Sequence, residues 1–183
     1  TAVLELDSDR HTFPYGTDGA VIKVNLIESH KSLGHTSKFP RWACAYKYRP
    51  EQGQTILKEV TIQVGRTGVL TPVAELEPIF ISGTTVSRAT LHNQDEIIRK
   101  DIRIGDTVVI EKSGEIIPAV IKVNLEKRPD NTVPFALHSH INGKCPSCAS
   151  TISKESGFTA WRCNNSKCPD QSIAKLKHFG GRR

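Results

Sequence analysis

The chain has 183 residues, a formal charge of +6 and a pI near 9.1. Hydrophobic residues at 37% and charged residues at 24% describe a soluble, folded protein, and no apolar run approaches the ~20 residues that span a bilayer. The N-terminus lacks the basic start and apolar core of a signal peptide, while the positive balance favours an anionic partner such as nucleic acid.

Residues 1–49 hold two strand-like stretches, 20–25 and 41–48, joined by a loop with Gly34 and Pro40. In TDGAVIKVN (17–25), Lys23 stands among Ala20, Val21, Ile22 and Val24, where an ammonium group is costly to bury without a partner. In RWACAYKY (41–48), an extended backbone puts Trp42, Cys44, Tyr46 and Tyr48 on one face, read as core. The other face carries Arg41, Ala43, Ala45, Lys47 and Arg49, and Lys23 likewise shares its face with Gly19 and Val21. Small neighbours leave room above each strand, so the two ammonium groups are candidates to converge on a phosphate. Snorkelling of both lysines to solvent is the alternative. Cys44 reads as a small buried residue.

Residues 50–133 read as short strands divided by turns. In TILKEVTIQV the even positions Ile56, Val60, Ile62 and Val64 are apolar and Glu59, Thr61 and Gln63 are polar, which predicts a half-buried strand. GRTG follows as a turn, then VLTPVAEL and PIFI as two further strands. Asn93 with Glu96 three residues on predicts a capped helix over 93–100. TVVIE, a KSGE turn and IIPAVIKV then make a hairpin. About five strands with one interposed helix suggest a barrel of the oligonucleotide-binding kind, with an SH3-like barrel or a small sandwich as alternatives.

Residues 134–172 contain four of the five cysteines. Cys145 and Cys148 form C-x2-C, and Cys163 and Cys168 form C-x4-C after a 14-residue gap. Four thiolates so paired can close a tetrahedron around Zn2+, and with no open position for water that ion is structural. A pair of disulfides is the competing reading. His138 and His140 lie nearby but read as surface residues, and Lys144, Lys154, Arg162 and Lys167 leave the patch basic. SIAKLKHFGGRR, at the end, reads as the opening of a helix.

TDGAVIKVN, FPRWACAYKY, QVGRTG, TPVAELEP, ATLHN, RIGD and the four-cysteine patch, in that order, resemble the bacterial-type NAD-dependent DNA ligases from about residue 14 to the end. The resemblance implies a mainly β chain. Residues 1–49 would be the C-terminal strands of a nucleotidyltransferase (adenylation) domain, 50–133 an OB-fold barrel, 134–172 a small four-cysteine zinc finger and 173–183 the start of a helix-hairpin-helix region. It implies that Lys23 and Lys47, in the fourth and fifth nucleotidyltransferase motifs, contact the adenylate phosphate and stabilise charge on the phosphoryl group in flight. Asp18 would position Mg2+ or a lysine, unless it only makes an Asp-Gly turn. Arg66, Thr67 and Arg88 would touch the DNA backbone, with a solvated surface charge the alternative for each arginine.

The implied cofactors are NAD, through its AMP moiety, structural Zn2+ and Mg2+. The implied partner is nicked duplex DNA, bound by a monomer in a cytoplasmic, nucleoid-associated setting and with no membrane. The family's nucleophile lies in a K-x-D-G motif, and none occurs here. The sequence also lacks methionine, so a piece of a longer ligase is expected, unable to adenylate itself. A non-catalytic DNA-binding module, barrel plus zinc ribbon, is the alternative function.

Overall fold

A break near residue 50 divides the chain into two units. The computed structural model describes residues 2–17, 19–48, 50–81, 83–112, 117–154 and 157–181. The first unit contains helix α1 (Ala2–Asp9), a 3-10 turn (Arg10–Thr12), strand β1 (Gly19–Lys23), helix α2 (Glu28–Leu33) and strand β2 (Ala43–Lys47). β1 and β2 pair antiparallel, Gly19 opposite Lys47 and Lys23 opposite Ala43. One face of this ribbon is covered at its ends. The His30 ring lies flat on Trp42 at 4.0 Å, and Arg10 sits 4.9 Å over the Tyr48 ring. Between those ends Ile22 and Cys44 are exposed, which corrects the expectation of a buried Cys44. A two-stranded ribbon has too few partners to bury a whole face.

The second unit is built on a closed five-stranded barrel. Its strands are β3 (Glu51–Val64), β4 (Leu70–Ile81), β5 (Thr84–Thr90), β6 (Thr107–Lys112) and β7 (Ala119–Val123), with helix α3 (Gln94–Arg99) between β5 and β6. The order around the barrel is β3-β4-β5-β7-β6, closed by β6 on β3, which with the interposed helix is the oligonucleotide-binding topology. β3 closes it by serving two neighbours: residues 51–56 pair with β6, and 57–64 with β4. The Asn93 side chain accepts from the Glu96 N–H at 2.8 Å, as the capped helix requires. The predicted KSGE turn, residues 112–115, lies after Lys112 outside the described residues.

The alternation read in β3 is broken by a bulge. Leu57 pairs with Leu76 and Glu59 with Glu75, so Lys58 is the extra residue. The bulge resets the phase, letting Leu57 and Val60 both point inward although three positions apart. Ile56 consequently faces out and is 49% exposed, against the expectation from even spacing. β4 is one strand rather than the two expected. Its ladder with β5 slips between Glu75 and Ile79, around Pro78, which has no N–H to give.

Beyond the barrel the second unit continues through helix α4 (Leu137–His140), strands β8 (Ile152–Lys154) and β9 (Trp161–Cys163), and helix α5 (Pro169–Gly180). α5 starts earlier than the sequence suggested, because Pro169 is preset for the first helical position. This module shares the barrel's core: Phe135, Leu137, Ile152 and Cys163 belong to one buried cluster with Leu57 and Val108. Buried Gln94 of α3 clips the join, donating to Phe135 O at 3.1 Å and accepting from the Leu137 N–H.

RIGD owes its chemistry to Asp106, fully buried and ion-paired. It accepts the Arg103 N–H at 2.8 Å and Arg128 through Nε and Nη2 at 2.8 and 2.9 Å, while Arg128 also binds Asp101. Arg128, then Arg103, hold the Asp101 carboxyl below the usual range. Asp106→Ala takes the acceptor from the Arg103 N–H and from Arg128 Nε, leaves a cavity, and is expected to destabilise the barrel by about 3 kcal/mol, measured by urea unfolding. A loss below about 1 kcal/mol would contradict this account of the network.

Candidate functional site

Strand register decides where the two lysines stand. Residues directly opposite in an antiparallel pair share a face, so Gly19, Val21 and Lys23 lie on the side of Lys47, Ala45 and Ala43. Lys23 and Lys47 therefore share one face, at diagonal ends of the ladder, about 14 Å apart at the backbone given ~3.4 Å per residue. Both are exposed, and the floor between them is Val21 and Ala45. An anion seated midway, ~5 Å above that floor, lies about 9 Å from each Cα, the full reach of a lysine's four-carbon stem plus one hydrogen bond. Neither strand carries a carboxylate, and neither lysine has an ion-pair partner among the described residues. Gly19 makes the close pairing work. A β-carbon there would sit 2.4 Å from Tyr46 O. Asp18 lies outside the described residues.

Arg66 and Thr67 occupy the turn between β3 and β4, both exposed. Gly65 donates to Val69 O at 2.8 Å and Gly68 to Gly65 O at 2.9 Å, closing the loop. Arg88 stands elsewhere, on β5, with its Nε 2.9 Å from Glu75 Oε1, and Thr61 donates to the same oxygen at 2.8 Å. The sequence did not signal that partner. Arg88 also lines a shallow groove with Gln63, Thr71, Val73, Thr90 and exposed Ile117. Arg88 is thus placed at the surface but already paired, whereas Arg66 makes no hydrogen bond or ion pair among the described residues.

The four cysteines come together as their spacing implied. Their sulfur atoms all lie within 4.8 Å of one another, with Cys148 Sγ 3.5 Å from Cys163 Sγ and Cys145 Sγ 4.0 Å from Cys168 Sγ. A tetrahedron of thiolates about 2.3 Å from a zinc ion has edges of about 3.8 Å, so the set fits Zn2+. All four are free thiols, which sets aside the disulfide reading. Burial pushes the Cys145 thiol up to about 12 and raises Cys163, while the Ser150 hydroxyl and amide pull Cys148 down to about 6. His138 and His140 are exposed and outside the set. The His138 ring lies tilted against Trp161, centroids 5.0 Å apart, and His140 Nε2 bonds Val60 O at 2.8 Å.

Spacing gave no sign of the contact between this module and the Arg66 turn. The Cys163 N–H donates to Gly68 O at 2.9 Å, Arg162 Nη1 to Thr67 O at 3.2 Å, and Gln171 Nε2 to Cys163 O at 2.8 Å. Val69 and Arg162 form an isolated bridge beside them.

Comparison with known proteins matches this architecture segment by segment. Three family models match: the NAD-dependent DNA ligase adenylation domain over residues 1–51, its OB-fold domain over 54–132 and its C4 zinc finger domain over 144–169. A DNA ligase of Akkermansia muciniphila is 58% identical over 181 residues, covering 99% of this chain and 23% of the relative. DNA ligase 1 of Opitutus terrae is 53% identical and a DNA ligase of Chlamydia felis 54%, each over 99% of this chain and 26% or 27% of the relative. The chain spans about a quarter of the length of these curated relatives. Paired lysine strands, barrel and cysteine cluster fall in the order of those three domains, and the chain belongs to the NAD-dependent DNA ligase family.

Proposed function

We propose that this chain is the phosphate-gripping and duplex-holding part of an enzyme that seals 3′-hydroxyl/5′-phosphate nicks in DNA. In that enzyme NAD supplies the adenylyl group, which reaches the 5′-phosphate by way of an enzyme lysine before the 3′-hydroxyl displaces it. Lys23 and Lys47 hold the adenylate phosphate between them and offset the charge that spreads over its oxygens, the main demand of phosphoryl transfer. The observation that carries this reading is their common uncrowded face, with no acid in either strand.

Arg66 and Thr67 meet the sugar–phosphate backbone without reading bases, as a sealing enzyme needs. Arg88 joins them by exchanging Glu75 for a phosphate. The four cysteines hold structural Zn2+ with no position open to water. Mg2+ is carried chiefly by the substrate phosphates, with Asp18 its expected protein partner. The same reading makes the enzyme a monomer at the bacterial nucleoid.

Two outcomes follow for the purified chain. Incubated with NAD and Mg2+, it forms no covalent AMP adduct, because K-x-D-G is missing from its sequence. An added adenylate in the mass spectrum would refute that. Its affinity for a nicked duplex falls linearly on a log–log plot against salt, as displaced counterions return to the DNA. Binding indifferent to salt would remove the phosphate contacts from the proposal.

A further inference from the structure

A turn flanked by glycines is a poor mount for an arginine that must meet one phosphate. Gly65 and Gly68 leave residues 66 and 67 with large conformational freedom, and ordering them on binding would cost affinity. In this chain the turn is already fastened, and to something outside the barrel. β9 fixes two of its carbonyls, Thr67 O through Arg162 and Gly68 O through the Cys163 amide. Gln171 in turn fixes the Cys163 carbonyl and, at 3.2 Å, that of Asn165. Gly68 has φ +78°, and a β-carbon there would lie 2.3 Å from Cys163 O and 3.0 Å from Gln171 Nε2. Glycine at 68 therefore serves the contact with β9 as well as the turn.

We propose that β9 of the cysteine module is a positioning clamp, in which Arg162 and the Cys163 amide hold residues 67 and 68 so that Arg66 is aimed at a DNA phosphate before the duplex arrives. The inference rests on the reading of Arg66 as a backbone contact. It makes Arg162 and Gly68 positioning residues and gives the metal module a part in DNA binding without touching DNA. Arg162 spends its Nη1 on a main-chain carbonyl, and among the described residues no acid pairs with it.

Affinity for a fluorescent nicked duplex, measured across a salt series on the zinc-loaded chain, tests this. Arg66→Ala is expected to weaken binding about tenfold and to lower the salt slope by about one. Gly68→Ala removes no charge, yet should reproduce both changes while bound zinc stays at one per chain. Arg162→Ala should do the same, Arg162→Lys should restore most of the affinity, and neither Gly68→Ala nor Arg162→Ala should weaken binding further once Arg66 is alanine. If Arg66→Ala changes nothing, the backbone reading fails and the clamp's role in binding falls with it. If Arg66→Ala weakens binding but Gly68→Ala and Arg162→Ala do not, the clamp alone is refuted. If Arg162→Ala costs the same with or without Arg66, Arg162 is an independent contact and the clamp is likewise refuted. Should Arg162→Ala lose zinc, the Gly68→Ala slope decides between these outcomes.

Discussion

Lys47→Ala in a full-length ligase carrying this sequence is expected to lower nick sealing by about 10²–10³-fold while leaving affinity for nicked DNA within a factor of about two. The scale is that of removing one group directed at the charge developing in a transition state. Lys47 stands opposite Gly19, where the two backbones come too close for a β-carbon, so the ribbon keeps its register without the lysine's stem. The loss should therefore be chemical rather than structural, with melting temperature unchanged. Lys47→Arg should recover little, since a broad planar fork does not replace a compact ammonium on a floor of Val21 and Ala45.

Lys23→Ala should cost a similar factor, and the double variant less than the product of the two, as the proposal that both amines serve one phosphate requires. Single-turnover assays with pre-adenylated nicks separate this from a binding defect. If Lys47→Ala weakens DNA binding while bound nicks are sealed at the normal rate, the lysines are duplex contacts and the nucleotide reading is wrong. The chain would then be a DNA-binding module with two surplus cations.

What the sequence disclosed about the fold and the site depended on how local the cause was. Cysteine spacing is a local statement of ligand chemistry, and the four sulfurs met as C-x2-C and C-x4-C implied. The shared face of Lys23 and Lys47 is nearly as local, since period-2 alternation and one antiparallel pairing fix it. Alternation failed where the backbone departs from it. Lys58 bulges out and reverses the sense of Ile56 and Leu57, and no pattern of apolar residues marks that position. Cys44 was misread for a related reason. Its apolar neighbours in sequence suggested a core, whereas burial depends on what packs across the ribbon. Least legible of all was the link from Arg162 to Thr67, which joins residues 95 apart in sequence. Such a contact exists only once barrel and cysteine module have closed over one core, and neither residue advertises the other.

Removing the metal should have the largest effect of any single change. Chelation is expected to melt residues 143–171 while the barrel persists, because the module's two strands are three residues each and its own apolar content is small. Metal binding contributes about 10 kcal/mol or more to folding small thiolate modules, more than the shared core of Phe135, Leu137 and Ile152 could replace. Amide exchange should therefore rise across β8, β9 and the start of α5, and also at 65–69, whose carbonyls lose their donors on β9. The Trp161 fluorescence should shift to the red once its ring leaves His138, best read in a Trp42→Phe background. Acid should act like a chelator, and the sign follows from the thiols. The metal-bound state carries fewer protons than the free one, whose Cys145 is pushed up to about 12 by burial, so metal affinity falls as pH falls, by up to about tenfold per unit for each proton displaced. Metal retention that is flat between pH 8 and 5, or exchange protection at 145–168 that survives chelation, would mean that packing and not the ion holds this module against the barrel.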